Sequence, residues 1–429
     1  MKTPIFAQLA PTFVTQNFTQ IFLLFFALTL AVRLWLKFRH IAFVAAHREA
    51  VPAEFADRIT PETHRKAADY TIDRSRAAVV GLLVDAGLLL ALTLGGGLAG
   101  LHDFWATRLD GLAYGLAMIL SLMLLSGLVD LPLSVYSQFV IEARHGFNLM
   151  TPALFFADLL KQTLLGLAIG APVILAVLSL MGTMGERWWL YVWLFWSAFN
   201  LLLMFVYPTW IAPLFNKFSP LEDGEMKSRV EALLARCGFR SSGLFVMDGS
   251  KRSSHGNAYF TGFGDNKRIV FFDTLLNNLE PPEVEAVLAH ELGHFRKKHV
   301  LKRMMMMFAG SLAFLWLLGQ LIDASWFYAG LGVEAQNTAL ALILFFLAMP
   351  VFTFPLTPLM SHLSRRHEFE ADAYAAEHAA ADDLIRALVK LYRDNASTLT
   401  PDPLHSLFYD SHPPAAQRIA HLHMQPGKA

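Results

Sequence analysis

The segment His290-Glu291-Leu292-Gly293-His294 sets two imidazoles four residues apart, with a carboxylate beside the first. On a helix, positions i and i+4 lie one above the other on the same face. His290 and His294 can therefore each present a ring nitrogen to one metal ion. Glu291 projects beside them, where it can take a proton from a metal-activated water. The plainer account is a wet helix face carrying two satisfied histidines. A catalytic zinc centre separates the two accounts, because it requires a third protein ligand and an open position for water.

The third ligand has to come from elsewhere in the chain, and His367–Asp372 (HEFEAD) offers it. Glu368 and Asp372 are again four apart and share a face. One of them can ligate the metal while the other holds a ligand histidine by its far nitrogen. Glu368 is the expected ligand and Glu370 the runner-up; Glu370 and His367 otherwise point elsewhere on that helix. The expected cofactor is one Zn2+ per chain. His299 lies beyond Lys297 and Lys298 and reads as the solvated end of the HELGH helix, which should run to about residue 300.

These residues sit in a very apolar chain. Apolar types make up 55% of its 429 residues and charged types only 16%, against roughly 25% charge in soluble domains. The formal net charge is zero, which gives no support for nucleic acid as a partner. The single cysteine, Cys237, excludes an intramolecular disulfide and reads as buried filler. Seven stretches are long enough to cross a bilayer core, near 18–36, 79–99, 111–129, 163–181, 188–207, 304–322 and 338–360. The first has only Lys2 ahead of it, no small-residue cleavage site after it and Arg33 within it, so it is expected to be retained. Arg33 and Asp85 should face protein or water, not lipid. The Met304–Met307 run belongs to a span, since four consecutive residues wrap a helix and cannot converge on copper.

Loop charges orient the spans. The 37–78 connection is rich in Lys and Arg, 130–162 carries Arg144 and Lys161, and the alternate loops are poor in both. The N-terminus is therefore expected outside and the C-terminal tail in the cytoplasm. The chain divides into 1–207 with five spans, 208–303 with the HELGH helix, 304–360 with two spans, and 361–429 with the third ligand. Two spans separate HELGH from HEFEAD, so both lie on one side of the membrane.

Within 208–303, a helix near 222–236 precedes three strand-like runs at 243–248, 257–263 and 268–272, the last two joined by a GDN turn. Asn257 and Ala258 mark a strand edge on which an extended peptide could pair across the metal. His255 reads as turn chemistry. Glu142 and Arg144 either line an entrance or form salt bridges. Further helices are expected at 361–378, 381–394 and after SHPP.

The chain resembles the Ste24-type integral-membrane zinc metallopeptidases, the CAAX prenyl protease 1 family. The resemblance spans nearly the whole length: HELGH, EFEAD, IEARHGFN at 141–148, IAPLFNKFSPLEDGE at 211–225, HGNAYFTGFG at 255–264 and YDSHPPAAQRI at 409–419. It implies His290, His294 and Glu368 as zinc ligands, Glu291 as catalytic base and Asp372 as the partner of a ligand. It also implies His412 and Arg418 as substrate or transition-state groups. The implied fold is an all-α multi-pass membrane protein. Seven transmembrane helices enclose a chamber, and a cytoplasmic zinc-metallopeptidase domain contains a small β-sheet.

The function expected is hydrolysis of peptide bonds near the cytoplasmic face, with a prenylated C-terminal CAAX peptide as substrate and the lipid bilayer as surroundings. A monomer is expected to suffice. The membrane is the inner one in a prokaryote or the endoplasmic reticulum in a eukaryote. One rival is a quality-control protease cutting unprenylated membrane proteins at the same site. Another, of a different class, is a metal-binding transporter or channel, which leaves Glu291 without a task.

Overall fold

The computed structural model describes residues 11–261 and 268–425. The first half is helical: α1 (Pro11–Ala46), α2 (Pro61–Leu92), α3 (Gly97–Ala106), α4 (Gly111–Tyr136), α5 (Pro152–Thr183) and α6 (Trp188–Val206). Among the described residues, seven helical segments are long and apolar enough to cross a membrane, matching the seven stretches read from the sequence. Leu124, Leu164 and Leu202 are 62%, 57% and 59% exposed on their outer faces, a surface suited to lipid and not to water.

The helices are longer than the apolar stretches that reveal them. α1 has 36 residues, about 54 Å at 1.5 Å per residue against a hydrocarbon core of about 30 Å. Most of 37–78 is therefore not loop but the projecting ends of α1 and α2, linked through residues 47–60. Arg33 and Asp85 line one cavity of about 310 Å³ between α1, α2, α4 and α12 (Thr338–Thr353), together with Asp130.

A small sheet follows: β1 (Phe218–Pro220), α7 (Glu225–Arg236), β2 (Gly243–Met247), β3 (Ala258–Thr261), β4 (Arg268–Phe272) and α8 (Asp273–Asn278). Among the described residues it has four strands in the order β1-β2-β4-β3, one more than the sequence indicates. The extra strand, β1, is three residues long and ends in proline, so no alternation betrays it. It pairs antiparallel with β2; β2 and β4 are parallel, and β3 closes antiparallel on β4 at the sheet edge. The GDN turn lies outside the described residues.

α9 (Pro281–Arg296) carries HELGH. Pro281 and Pro282 preset its first turn, and the Glu283 carboxylate accepts the Glu280 backbone N–H at 2.8 Å. Its apolar face buries Val284, Leu288 and Leu292 against Ile269, Phe271 and Leu275. The helix does not reach residue 300. Lys298 adopts a left-handed conformation (φ 58°), turning the chain before α10 (His299–Leu321) begins. No glycine or proline announces that break.

The remaining elements are α11 (Ser325–Ala329), α12, α13 (Thr357–His378), α14 (Ala381–Asp394), α15 (Pro403–Tyr409) and α16 (Ala415–His423). A single tight turn at Phe354–Leu356 joins α12 to α13. The seventh span thus runs directly into the helix that bears Glu368.

Candidate metal centre

α9 and α13 cross at Gly293. A Cβ there would stand 2.9 Å from the Ala371 Cα and 3.0 Å from its carbonyl oxygen, so only glycine permits this approach. The crossing sets the imidazoles of α9 against the carboxylates of α13. The His290 and His294 Nε2 atoms lie 3.2 Å apart, and each is 3.4 Å from a Glu368 oxygen. One donor atom from each of the three residues falls within 4.8 Å of the others.

The donor set fits a zinc ion. Two imidazoles and one carboxylate are the ligands of one class of catalytic zinc site. Glu368 is 4% exposed, and its Oε2 has no hydrogen-bond partner, a cost that a cation at this point would remove. The local field also calls for positive charge. Burial opposes a charge on His290, but its contacts with Asp372 and Glu368 outweigh that and raise its pKa to about 9.

Each histidine is held from behind. His290 Nδ1 donates to Asp372 Oδ1 at 2.8 Å, which turns Nε2 toward Glu368 as the nitrogen that a metal would take in place of a proton. Arg418 donates to both Asp372 oxygens, at 2.9 and 2.6 Å, and its Nη1 stays 4.0 Å from Glu368 Oε2. His294 Nδ1 meets His299 Nδ1 at 3.0 Å. His299 is therefore not the solvated helix end that its neighbouring lysines indicate. It is 0% exposed, because the turn at Lys298 folds it back under His294.

The other expected residues gather around a cleft of about 360 Å³. Glu291 lines it and, among the described residues, takes part in no ion pair. His412 stands with Nε2 3.6 Å from Glu368 Oε1. Asn257 and Ala258 form the opposite wall at the start of edge strand β3. Glu370 does not join the three donors; its Oε2 takes a hydrogen bond from His299 Nε2 at 3.0 Å.

Asn395 and Tyr392 also line the cleft, and the sequence carries no signal for either. The Asn395 Oδ1 accepts the Gly256 N–H at 3.1 Å, and its Nδ2 donates to the Gly256 carbonyl at 3.4 Å. His255 does more than shape a turn. It stacks on Phe147 at 4.5 Å, contacts Asn395 at 3.2 Å and pairs with Glu142 at 3.6 Å. Glu142 also accepts the Tyr70 hydroxyl at 2.6 Å, and Arg144 donates to Asp73 at 2.9 Å, so both residues form bridges.

A metallopeptidase-type ligand set beside a carboxylate, with its third donor on a helix continuous with a membrane span, defines a membrane zinc endopeptidase. Comparison with known proteins gives the family. Residues 40–217 match the CAAX prenyl protease N-terminal family, five membrane helices, and residues 220–425 match Peptidase family M48. The chain is 35% identical over 404 residues to CAAX prenyl protease 1 of Saccharomyces cerevisiae, covering 87% of this chain and 88% of that protein. It is 33% identical over 425 residues to the Homo sapiens CAAX prenyl protease 1 homolog, covering 87% and 88%. The crystal structure of S. mikatae Ste24p superposes with a TM-score of 0.87 at 33% identity, covering 94% of this chain and 98% of that one. The chain belongs to the CAAX prenyl protease 1 family of M48 zinc metallopeptidases, and it is a zinc-dependent, multi-pass membrane endopeptidase.

Proposed function

We propose that the chain trims C-terminal CAAX-type peptides just after a prenylated cysteine, at the cytoplasmic face, with the membrane helices enclosing a chamber for the lipid. The observation that carries this reading is the convergence of the His290, His294 and Glu368 donors beside Glu291, with Glu368 on a helix continuous with the seventh span. The names of the relatives support the substrate class. Each lipid CH₂ buried in an apolar chamber would add about 0.8 kcal/mol to binding.

His290, His294 and Glu368 would hold the zinc. Bound there, zinc supplies a Lewis acid that brings the pKa of a water to about 7. Glu291 takes a proton from the attacking water and returns it to the leaving amine. His412, on the cleft wall, donates toward the oxygen on which negative charge develops, and Arg418 Nη1 adds a fixed positive charge behind Glu368. The edge strand β3 pairs with the extended peptide, with Asn257 and Ala258 setting its register.

Digestion of a farnesylated CAAX peptide beside its unlipidated twin, with products mapped by mass, tests the proposal. A single cut after the cysteine, at least tenfold faster with the lipid, is expected. Equal cutting of both peptides at several positions would replace this reading with a quality-control protease.

A further inference from the structure

We propose that His299 and Glu370 are positioning residues that fix the protonation form of His294, and so its ability to bind zinc. The inference rests on His290, His294 and Glu368 being the zinc site. His294 Nδ1 lies 3.0 Å from His299 Nδ1, and His299 Nε2 lies 3.0 Å from Glu370 Oε2. This chain of contacts has one polarity compatible with metal binding. The Glu370 carboxylate only accepts, so His299 carries its proton on Nε2 and keeps Nδ1 bare. The bare Nδ1 accepts the Nδ1–H of His294, which leaves His294 Nε2 unprotonated and facing Glu368. If His299 donated through Nδ1 instead, the His294 proton would sit on Nε2 and the ring could not ligate.

The surroundings hold this arrangement. His299 is fully buried and stacks on His367 with ring centroids 4.0 Å apart. Glu370 is oriented by Arg366 at 3.2 Å and Lys302 at 3.9 Å. The two ligand rings are thus backed alike: each chain of contacts ends on a carboxylate of α13 that an arginine grips. His290 reaches Asp372 directly, whereas His294 lies farther from its carboxylate and needs the His299 ring as a spacer. The left-handed Lys298 makes the spacer possible, because it returns the chain to His294 within five residues.

Chelator competition on the full chain in detergent, with the melting temperature of the metal-free protein as a folding control, tests the relay. His299→Phe keeps the ring against His367 and removes both nitrogens; Glu370→Ala removes the terminal acceptor at a half-exposed position. Zinc affinity is expected to fall about ten- to a hundredfold in His299→Phe and by a smaller factor in Glu370→Ala. The double variant should lose no more than His299→Phe alone, because Glu370 acts through His299. Effects that multiply, or affinities within twofold of wild type in a folded protein, would overturn the relay. If His299→Phe does not fold, an unchanged affinity in Glu370→Ala overturns it. A wild-type protein that retains no zinc would instead remove the metal-site reading on which the relay rests.

Discussion

Arg418 clasps both carboxylate oxygens of Asp372, at 2.9 and 2.6 Å, and both residues are buried. Asp372 in turn receives His290 Nδ1 at 2.8 Å, so one buried ion pair involving the C-terminal tail aims an α9 imidazole of the candidate metal cluster. Removing Asp372 leaves a buried, uncompensated guanidinium. Asp372→Ala should lose about 3–5 kcal/mol of stability and weaken zinc binding ten- to a hundredfold. The double change Asp372→Ala with Arg418→Met should recover most of the stability and none of the zinc affinity. Denaturant melts together with chelator competition separate the two effects; recovery of both would show that Asp372 does not aim His290.

The helix crossing gives a second prediction. Gly293→Ala places a methyl against the Ala371 backbone, which has no flexible end to yield. The expected cost is about 1–3 kcal/mol, with a drop in zinc affinity as α13 carries Glu368 away from the histidines. An unchanged melting point and metal content would mean that the helices part freely at this level.

Much of this centre was legible because helical periodicity converts sequence spacing directly into geometry. HELGH and HEFEAD each place two side chains on one face, and the two spans between them put both segments on one side of the membrane. Three features were not legible, each for a physical reason. The turn at Lys298 uses a residue with no intrinsic preference for positive φ, so His299 was read as continuing the helix into solvent. β1 is too short to alternate. Asn395 reaches the backbone of Gly256 across 139 residues of sequence, and no local pattern encodes such a contact.

Glu291→Gln tests the chemistry apart from the metal. The glutamine cannot take a proton, yet it leaves the donors of His290, His294 and Glu368 in place. Zinc content should stay at one per chain while peptide turnover falls by about 10²–10⁴. Turnover near the wild-type rate would sink the role of Glu291 as base.

A pH dependence follows from the joint between α1 and the tail. His405 is buried on α15, stacked on His40 with centroids 3.9 Å apart, and its Nε2 accepts from Lys37 at 3.0 Å. Burial, His40 and Lys37 together press its pKa from 6.5 down to about 3. The unfolded chain therefore binds this proton first. The stability tied to a neutral His405 is complete above about pH 6.5 and is lost as pH falls toward about 3. At pH 5 the loss should be about 2 kcal/mol, from 1.36 kcal/mol per unit. Melts at pH 7.5 and 5.0 should show it, and His405→Phe should flatten the difference; an equal slope in the variant would assign the effect to another group.

The last prediction concerns the wall opposite the metal. Asn395 uses its amide as a strand would, accepting one Gly256 group and donating to the other, and so holds the start of β3 against the end of α14. Asn257 and Ala258, next in the chain, face the cleft that Glu291 and Glu368 share. Asn395→Ala frees that segment without touching a ligand. Losing roughly 1 kcal/mol of hydrogen bonding should raise KM about fivefold, with kcat and zinc affinity close to wild type. Asn395→Asp keeps the oxygen that accepts the Gly256 N–H and should recover part of the loss. If kcat falls while KM holds, the segment acts in the transition state alone, and the peptide is not held on the β3 edge in the ground state.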